Sequence, residues 1–154
     1  MTNYGFISIN PASMTKFIKK SEITAQWYEI DANNAIVGRL ATVVSKILRG
    51  KNKPTFTPHM DMGDFVIIIN AAKIRISGNK DKQKQYFSHS GYPGGTKFVD
   101  FQSLKKNNPE KIIENAVKGM LPHNSLGRKM LKNLKIYSDS THPHEAQKPI
   151  LMEL

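Results

Sequence analysis

Positively charged side chains are the most chemically distinctive feature of this sequence, and they are clustered. Lys and Arg number 23 against 12 Asp and Glu, which gives the 154 residues a formal net charge of +11. Residues 32–60 and 115–138 each contain five bases and no acid, whereas residues 73–84 contain five bases and the single acid Asp81. Clustered positive charge binds phosphate backbones because it displaces condensed counterions. The expected partner is therefore a polyanion, and the charge pattern favours nucleic acid.

Two loops punctuated by Gly and Pro, at residues 50–63 and 91–95, place aromatic and histidine side chains among these bases. The rings in and beside these loops are Phe56, His59, His89 and Tyr92. Such rings stack on unpaired bases, and their polar atoms bond to 2′-hydroxyl groups in folded RNA. The alternative interpretation is a basic surface that only keeps the protein soluble.

Enzymatic chemistry has one candidate site, formed by His59, Asp61 and Asp64. An imidazole and two carboxylates can bind a metal ion or act as general acid and base, so metal-dependent hydrolysis is the alternative function. The competing interpretation is a loop in which Asp64 precedes a strand and Asp61 pairs with a neighbouring base. No second cluster of such ligands occurs in the sequence. We therefore predict no catalytic residue, no metal site and no cofactor.

A second histidine motif lies in the C-terminal tail, where His142, His144 and Glu145 could chelate a cation. Pro143 separates the two histidines, and a tail motif of this kind is more typical of a surface or docking segment than of a metal site. We expect the docking segment.

Composition excludes several other classes of function. There is no cysteine, which rules out disulfides, thiol nucleophiles and cysteine-ligated metals. The longest apolar stretch, residues 65–69, is far shorter than the roughly 20 residues that span a bilayer. No secretory signal is recognisable at the N-terminus, and no phosphate-binding loop motif is present. The expectation is a soluble, cytoplasmic protein without a membrane or small-molecule partner.

Apolar periodicity predicts the elements that must position the basic side chains. Helices are expected over residues 37–49, 109–120 and 125–133, and strands over 27–31, 64–70, 73–77 and 135–137, with another strand ending at 86–87. The continuous Val and Ile residues of 64–70 are typical of a central parallel strand that is covered on both faces. Strand, helix, strand and further helices favour an α/β fold of three layers, α/β/α, around a small and mostly parallel sheet.

These predicted elements divide the chain into three parts. Residues 1–26 form an N-terminal extension and basic lead-in, residues 27–137 form the α/β RNA-binding domain, and residues 138–154 form an extended tail. Residues 1–13 contain no charged side chain. They are either a loose extension or lie upstream of a start at Met14.

Ordered motifs give a resemblance to a known family. They include Val37-Gly38-Arg39-Leu40-Ala41, Leu48-Arg49-Gly50-Lys51, Thr57-Pro58-His59, Gly78-Asn79-Lys80, His89-Ser90-Gly91-Tyr92-Pro93-Gly94-Gly95, Ala116-Val117-Lys118-Gly119-Met120-Leu121-Pro122, Leu126-Gly127-Arg128 and His142-Pro143-His144. From about residue 14 to residue 154 the sequence resembles the bacterial form of protein thirteen of the large ribosomal subunit. The resemblance implies the same three-layer fold. It also implies a structural role without catalysis, namely binding large-subunit ribosomal RNA beside neighbouring ribosomal proteins and supporting subunit assembly.

Side-chain chemistry and motif position together give the expected RNA contacts. They are Arg39, Arg49, Lys51, Lys53, His59, Lys80, His89, Tyr92, Lys118, Arg128, Lys129 and Lys132. His123 stands where the family motif often has lysine, which removes one permanent positive charge. An additional regulatory role in binding messenger RNA would use the same electrostatics, so the sequence does not separate it from ribosomal RNA binding.

Overall fold

The computed structural model describes residues 18–153, and a parallel sheet forms its centre. In chain order the elements are β1 (Trp27–Asp31), α1 (Val37–Arg49), β2 (Phe65–Ile69), α2 (Lys80–Gln83), β3 (Gln85–His89), β4 (Thr96–Asp100), α3 (Phe101–Asn107), α4 (Pro109–Met120), α5 (Ser125–Lys132), β5 (Leu134–Ile136) and β6 (Ile150–Met152). The sheet has the strand order β5-β2-β1-β6, and every pairing within it is parallel. Helices flank it in the expected three-layer α/β/α arrangement, whereas β3 and β4 form a separate antiparallel hairpin.

Strand β2 is one of the two interior strands of the sheet. It lies between β5 and β1, and Val66, Ile67 and Ile68 at its centre are fully buried. A strand with neighbours on both edges and apolar cover on both faces cannot alternate polar and apolar residues, which explains the continuous Val and Ile sequence. The predicted central strand is confirmed.

Helix α1 has the predicted bounds. One face of it, which includes Leu40, Val44 and Leu48, is buried in the core. Gly50 ends the helix in the left-handed conformation with φ of 75°, and its N–H donates to the carbonyl groups of Ile47 and Lys46. A Cβ at position 50 would lie 2.6 Å from the Met62 carbonyl oxygen, so glycine also lets the following loop pack against the helix end.

Helices α4 and α5 confirm the two predicted C-terminal helices, with one correction. Pro109 occupies the first turn of α4, where its missing N–H costs no hydrogen bond. The apolar period places Met120 in the buried face, but its side chain is 44% exposed in the last turn of α4. The Met120 sulfur instead accepts a weak hydrogen bond from Thr42 Oγ1 at 3.8 Å, at the surface of α1.

The segment 73–77 is not the strand that its alternating residues predict. Residues Ala71–Lys73 form a 3₁₀ turn, and only a single parallel bridge joins Arg75 to Ile36. Asn70 precedes the turn with φ of 57°, and this left-handed residue redirects the chain immediately after β2. The alternation arises because Ile74 and Ile76 pack on the core while Lys73 and Arg75 are exposed.

The C-terminal tail docks onto the sheet through its histidines. Trp27 stacks on Phe65 with ring centroids 4.4 Å apart, and the ring of His144 lies 5.2 Å from Trp27. His144 Nε2 is 2.9 Å from the Tyr137 hydroxyl, and His142 pairs with Glu29 Oε2 at 3.1 Å. The chain then adds β6 to the free edge of β1.

The predicted N-terminal segment, residues 1–26, is described only from residue 18 onwards. This part contains a 3₁₀ turn at Lys20–Glu22, whereas the expectations about residues 1–13 and Met14 lie outside the described residues. None of the helices between residues 18 and 153 has the length and apolarity needed to cross a membrane.

Candidate nucleic-acid interface

Two adjacent cationic residues of helix α5, Arg128 and Lys129, line two different cavities. The first cavity, of about 280 Å³, lies between the end of α4, the turn after it and α5. Lys118, His123 and Arg128 supply its polar groups, and the apolar side chains of Leu121 and Leu131 complete the wall. An apolar wall among cationic side chains can take the flat face of a sugar or base while the cations hold the adjoining phosphates.

Two local interactions fix the position of Arg128 and Lys129. The Asn124 side chain caps α5 by accepting a hydrogen bond of 2.8 Å from the Gly127 N–H. Gly127 is buried against the turn, and a Cβ at this position would overlap the Pro122 carbonyl oxygen. The Leu-Gly-Arg sequence thus brings α5 close enough to the end of α4 for the first cavity to form.

The second cavity, of about 410 Å³, lies on another side of α5. Lys129 and Leu126 of α5 line it together with Lys20 and with His59 and Asp61 from the loop at 51–64. The fold therefore brings together two expected contact residues, His59 and Lys129, that are distant in sequence. Lys20 joins them because the chain before β1 passes this loop, a proximity that sequence spacing does not reveal.

Two further expected contact residues, Arg49 and Lys51, lie at the end of α1. The Arg49 guanidinium lies 5.8 Å from the centroid of the Phe56 ring, a cation–π contact that holds the side chain near the loop. Lys51 follows the helix-ending glycine and is exposed. Arg39 is exposed in the first turns of the same helix, beside a shallow cavity of about 280 Å³ that includes Ile36 and Val43.

Lys53 has an internal role. Its ammonium group lies 2.6 Å from Oδ1 of the fully buried Asp64 and donates to the Thr24 carbonyl oxygen at 2.9 Å. The same Asp64 oxygen accepts a hydrogen bond from the Gln26 N–H. Lys53 therefore fastens the loop to the segment before β1. Within residues 18–153 no other expected contact lysine or arginine is paired with a carboxylate.

The alternative hydrolase site does not assemble. Asp64 precedes β2, as the competing interpretation expected, and its Oδ1 is engaged by Lys53. Asp61 shows no pairing with a base among residues 18–153, and its Oδ1 is buried without a hydrogen-bond partner there. In the same part of the chain no three His, Cys, Asp or Glu side chains are grouped so that they could hold a metal ion.

The remaining expected contacts lie in three other places. Lys132 is exposed on the last turn of α5, and Lys80 is exposed at the start of α2. His89 and Tyr92 belong to the β3–β4 hairpin, where His89 Nδ1 accepts a hydrogen bond from the Gly91 N–H and Tyr92 is 76% exposed at the tip. Periodicity did not single out two further aromatic residues on this hairpin, Phe87 and Phe98, which are also exposed.

These features define a small basic α/β protein in which cations surround apolar cavities beside one short helix. The family model described as Ribosomal protein L13 matches residues 25–143 of the chain. The chain belongs to the ribosomal protein L13 family.

Relatives with the name Large ribosomal subunit protein uL13 match almost their full length. The one from Syntrophomonas wolfei is 57% identical over 140 residues, which cover 91% of this chain and 97% of the relative. The one from Chlorobium phaeobacteroides is 54% identical over 88% of this chain and 91% of the relative. The one from a Synechococcus species is 58% identical over 86% of this chain and 88% of the relative.

Proposed function

We propose that this protein is a structural constituent of the large ribosomal subunit, where it binds ribosomal RNA and supports subunit assembly. The observation that carries the proposal is the pair of cation-lined cavities beside α5 in a chain of the ribosomal protein L13 family. The name of its relatives, Large ribosomal subunit protein uL13, agrees with this role. The role is structural and not enzymatic. Its site of action is the ribosome, and we place it in the cytoplasm.

Phosphate contacts position the protein in this account. Lys118 and Arg128 of the first cavity and Lys129 of the second are exposed, and no carboxylate among residues 18–153 neutralises them. Arginine suits bidentate contact with phosphate, whereas lysine acts as a mobile point charge. Because phosphate contacts are independent of sequence, recognition depends on the shape of a folded RNA that meets several surfaces at once.

The proposed contact residues follow from this geometry. They are Arg39, Arg49, Lys51, His59, Lys80, His89, Tyr92, Lys118, Arg128, Lys129 and Lys132. Lys53 is assigned a positioning role because its ammonium group is engaged by Asp64. In this proposal the α/β domain of residues 27–137 carries the contacts, and β6 of the tail adds one strand to the sheet that supports them. Neighbouring ribosomal proteins are the other proposed partners.

Co-sedimentation tests the proposal directly. A tagged full-length protein, expressed in cells at a low level, should travel with large subunits through a density gradient and remain there after a moderate salt wash. A contact dispersed over several RNA elements should resist that wash better than non-specific adsorption, which is weak at physiological salt. Recovery of the protein only at the top of the gradient, with large subunits intact, would contradict the proposed function.

A further inference from the structure

We propose that Phe87 and Phe98 on the β3–β4 hairpin form a stacking platform for unpaired bases of the bound RNA. The inference rests on the proposed function and adds a second mode of contact, which depends on aromatic rings instead of charge. Phe87 and Phe98 are each 64% exposed. A single exposed aromatic residue needs no explanation, but two that face each other across a hairpin form an apolar patch that normally serves binding.

The hairpin presents the two rings on one face. Phe87 and Phe98 are directly opposite in the antiparallel register, with ring centroids 5.5 Å apart and planes tilted by 55°. The ring of His89, two residues along β3, lies 6.5 Å from Phe87 at an interplanar angle of 26°. Since alternate residues of a strand share a face, these three rings form one aromatic surface. Tyr92 adds a further exposed ring at the tip.

The opposite face of the hairpin contacts the rest of the domain. Tyr86 packs against the core, and burial raises the pKa of its phenol. Lys84, whose ammonium lies 5.3 Å from the centroid of the Tyr86 ring, accepts a hydrogen bond at its carbonyl from the Phe101 N–H. Phe101 is fully buried at the start of α3.

The hairpin and the helix α2 before it carry a net positive charge, which favours a nucleic acid over an apolar protein surface as their partner. Residues 80–100 carry four lysines against two aspartates, and one of these, Asp100, accepts a hydrogen bond from the Gln85 side-chain amide. Lys84 and Lys97 are exposed on the face of the hairpin opposite the two rings, and Lys82 is exposed in α2. In complexes with single-stranded RNA, rings stack on bases and cations follow the backbone, so rings on one face of the hairpin and lysines on the other face and in α2 supply both kinds of contact.

Binding of the full-length protein to two labelled RNA probes tests the platform. One probe is a single-stranded oligoribonucleotide, and the other is a duplex of the same length, measured by fluorescence anisotropy at fixed salt. The variant F87L/F98L keeps the apolar character of the face and removes both rings. Its affinity for the single strand should fall by about tenfold or more, because stacking stabilises each bound base by roughly 1–3 kcal/mol. Its affinity for the duplex should be unchanged.

Two controls make the result specific. F87Y/F98Y retains stacking rings and should bind the single strand within about twofold of the wild-type affinity. V99A removes apolar surface from the other face of the same hairpin and should leave both affinities unchanged. Unfolding curves establish that each variant folds, and F98L alone replaces the double variant if that one does not.

The platform is refuted if F87L/F98L binds the single strand as tightly as the wild type does. If F87L/F98L binds both RNA probes as the wild type does but is lost from washed large subunits, the platform is likewise refuted, and the rings would instead contact a protein. Either result leaves the proposed function intact, because duplex binding and its salt dependence do not involve the rings. Failure of the wild-type protein to travel with large subunits would instead overturn the proposed function itself.

Discussion

Lys53 shows how one residue of a basic loop can serve the fold instead of the surface. Its side chain is 21% exposed, and its ammonium group is the only cationic partner of the buried Asp64 carboxylate within the described chain. A carboxylate without exposure to water is costly unless it is paired and hydrogen-bonded. Lys53 and the Gln26 N–H both contact Oδ1 of this carboxylate, so they offset part of the cost of burying an acid at the entrance of β2 and tie the loop to it.

Replacing Lys53 by Ala should destabilise the protein. The change leaves Asp64 buried without its counter-charge, and breaking such a pair costs about 3 kcal/mol in comparable proteins. Urea unfolding measures the loss. Lys51→Ala is the matched control, since Lys51 is exposed two residues earlier and its removal should change stability by less than about 0.5 kcal/mol. Equal stabilities for the two variants would show that the ion pair contributes nothing to the fold.

Helix α5 illustrates how a short element positions the proposed contact residues. It has eight residues, yet Asn124 caps it, Met130 buries its inner face and Gly127 sets its distance from the preceding turn. The cations on its surface therefore acquire fixed positions from neighbours that carry no charge.

Gly127→Ala should both destabilise the protein and weaken RNA binding. The new Cβ would meet the Pro122 carbonyl oxygen, which is backbone and cannot yield without moving α5. A loss of about 1–3 kcal/mol is expected from such overpacking, with a parallel fall in affinity because Arg128 moves with the helix. Thermal unfolding and RNA titration measure the two effects.

Gly119→Ala provides the opposite control. Gly119 lies inside α4, and a Cβ there would meet nothing within 4 Å. Alanine should stabilise the helix by up to about 1 kcal/mol because it reduces the conformational freedom of the unfolded chain. If Gly127→Ala behaved like Gly119→Ala, the close approach of α5 to the turn would not be a feature of the protein in solution.

The helices and strands that could be predicted from the sequence are those that bury a regular apolar face. Helix α1 has a strict apolar period and a glycine that ends it, so its bounds are readable. Strand β4 is exposed along its whole length, and α3 buries only Phe101, so neither has a clear apolar pattern. Strand β6 exists because β1 offers it a free edge, which no local pattern encodes. The clusters of basic residues could also be predicted from the sequence, because they depend only on composition. The cavities beside α5 and the pairing of Lys53 with Asp64 could not, because they depend on contacts between residues that are distant in sequence.

At the scale of the whole molecule, the tail extends the sheet by one strand and is held by side-chain contacts around Trp27. His144 touches the Trp27 ring and bonds to Tyr137, and the chain then covers the edge of β1. The edge of the sheet is thereby moved from β1 to β6, a strand of only three residues, and a short edge strand offers little template for aggregation.

Replacing His144 by Ala should loosen the tail. The variant loses the hydrogen bond to Tyr137 and the ring contact with Trp27, which together stabilise docking by about 1–2 kcal/mol. Trp27 is the only tryptophan of the chain, so tryptophan fluorescence reports on the surroundings of this one ring. Its emission should move to longer wavelength as water reaches the ring. His123→Ala, in the cavity beside α5, should leave the emission unchanged, and an identical spectrum for both variants would place the tail elsewhere.

The salt dependence of RNA affinity tests the central claim, that Arg128 and Lys129 bind RNA phosphates. Affinity of the full-length protein for a large-subunit ribosomal RNA fragment should fall steeply with salt. Arg128→Ala/Lys129→Ala should weaken binding by at least about tenfold and lower the slope of log affinity against log salt by about two, one for each lost phosphate contact. Lys106→Ala/Lys111→Ala removes the same charge from exposed positions outside both cavities and should change the slope far less. Equal slopes for the two double variants, or an affinity indifferent to salt, would contradict the account.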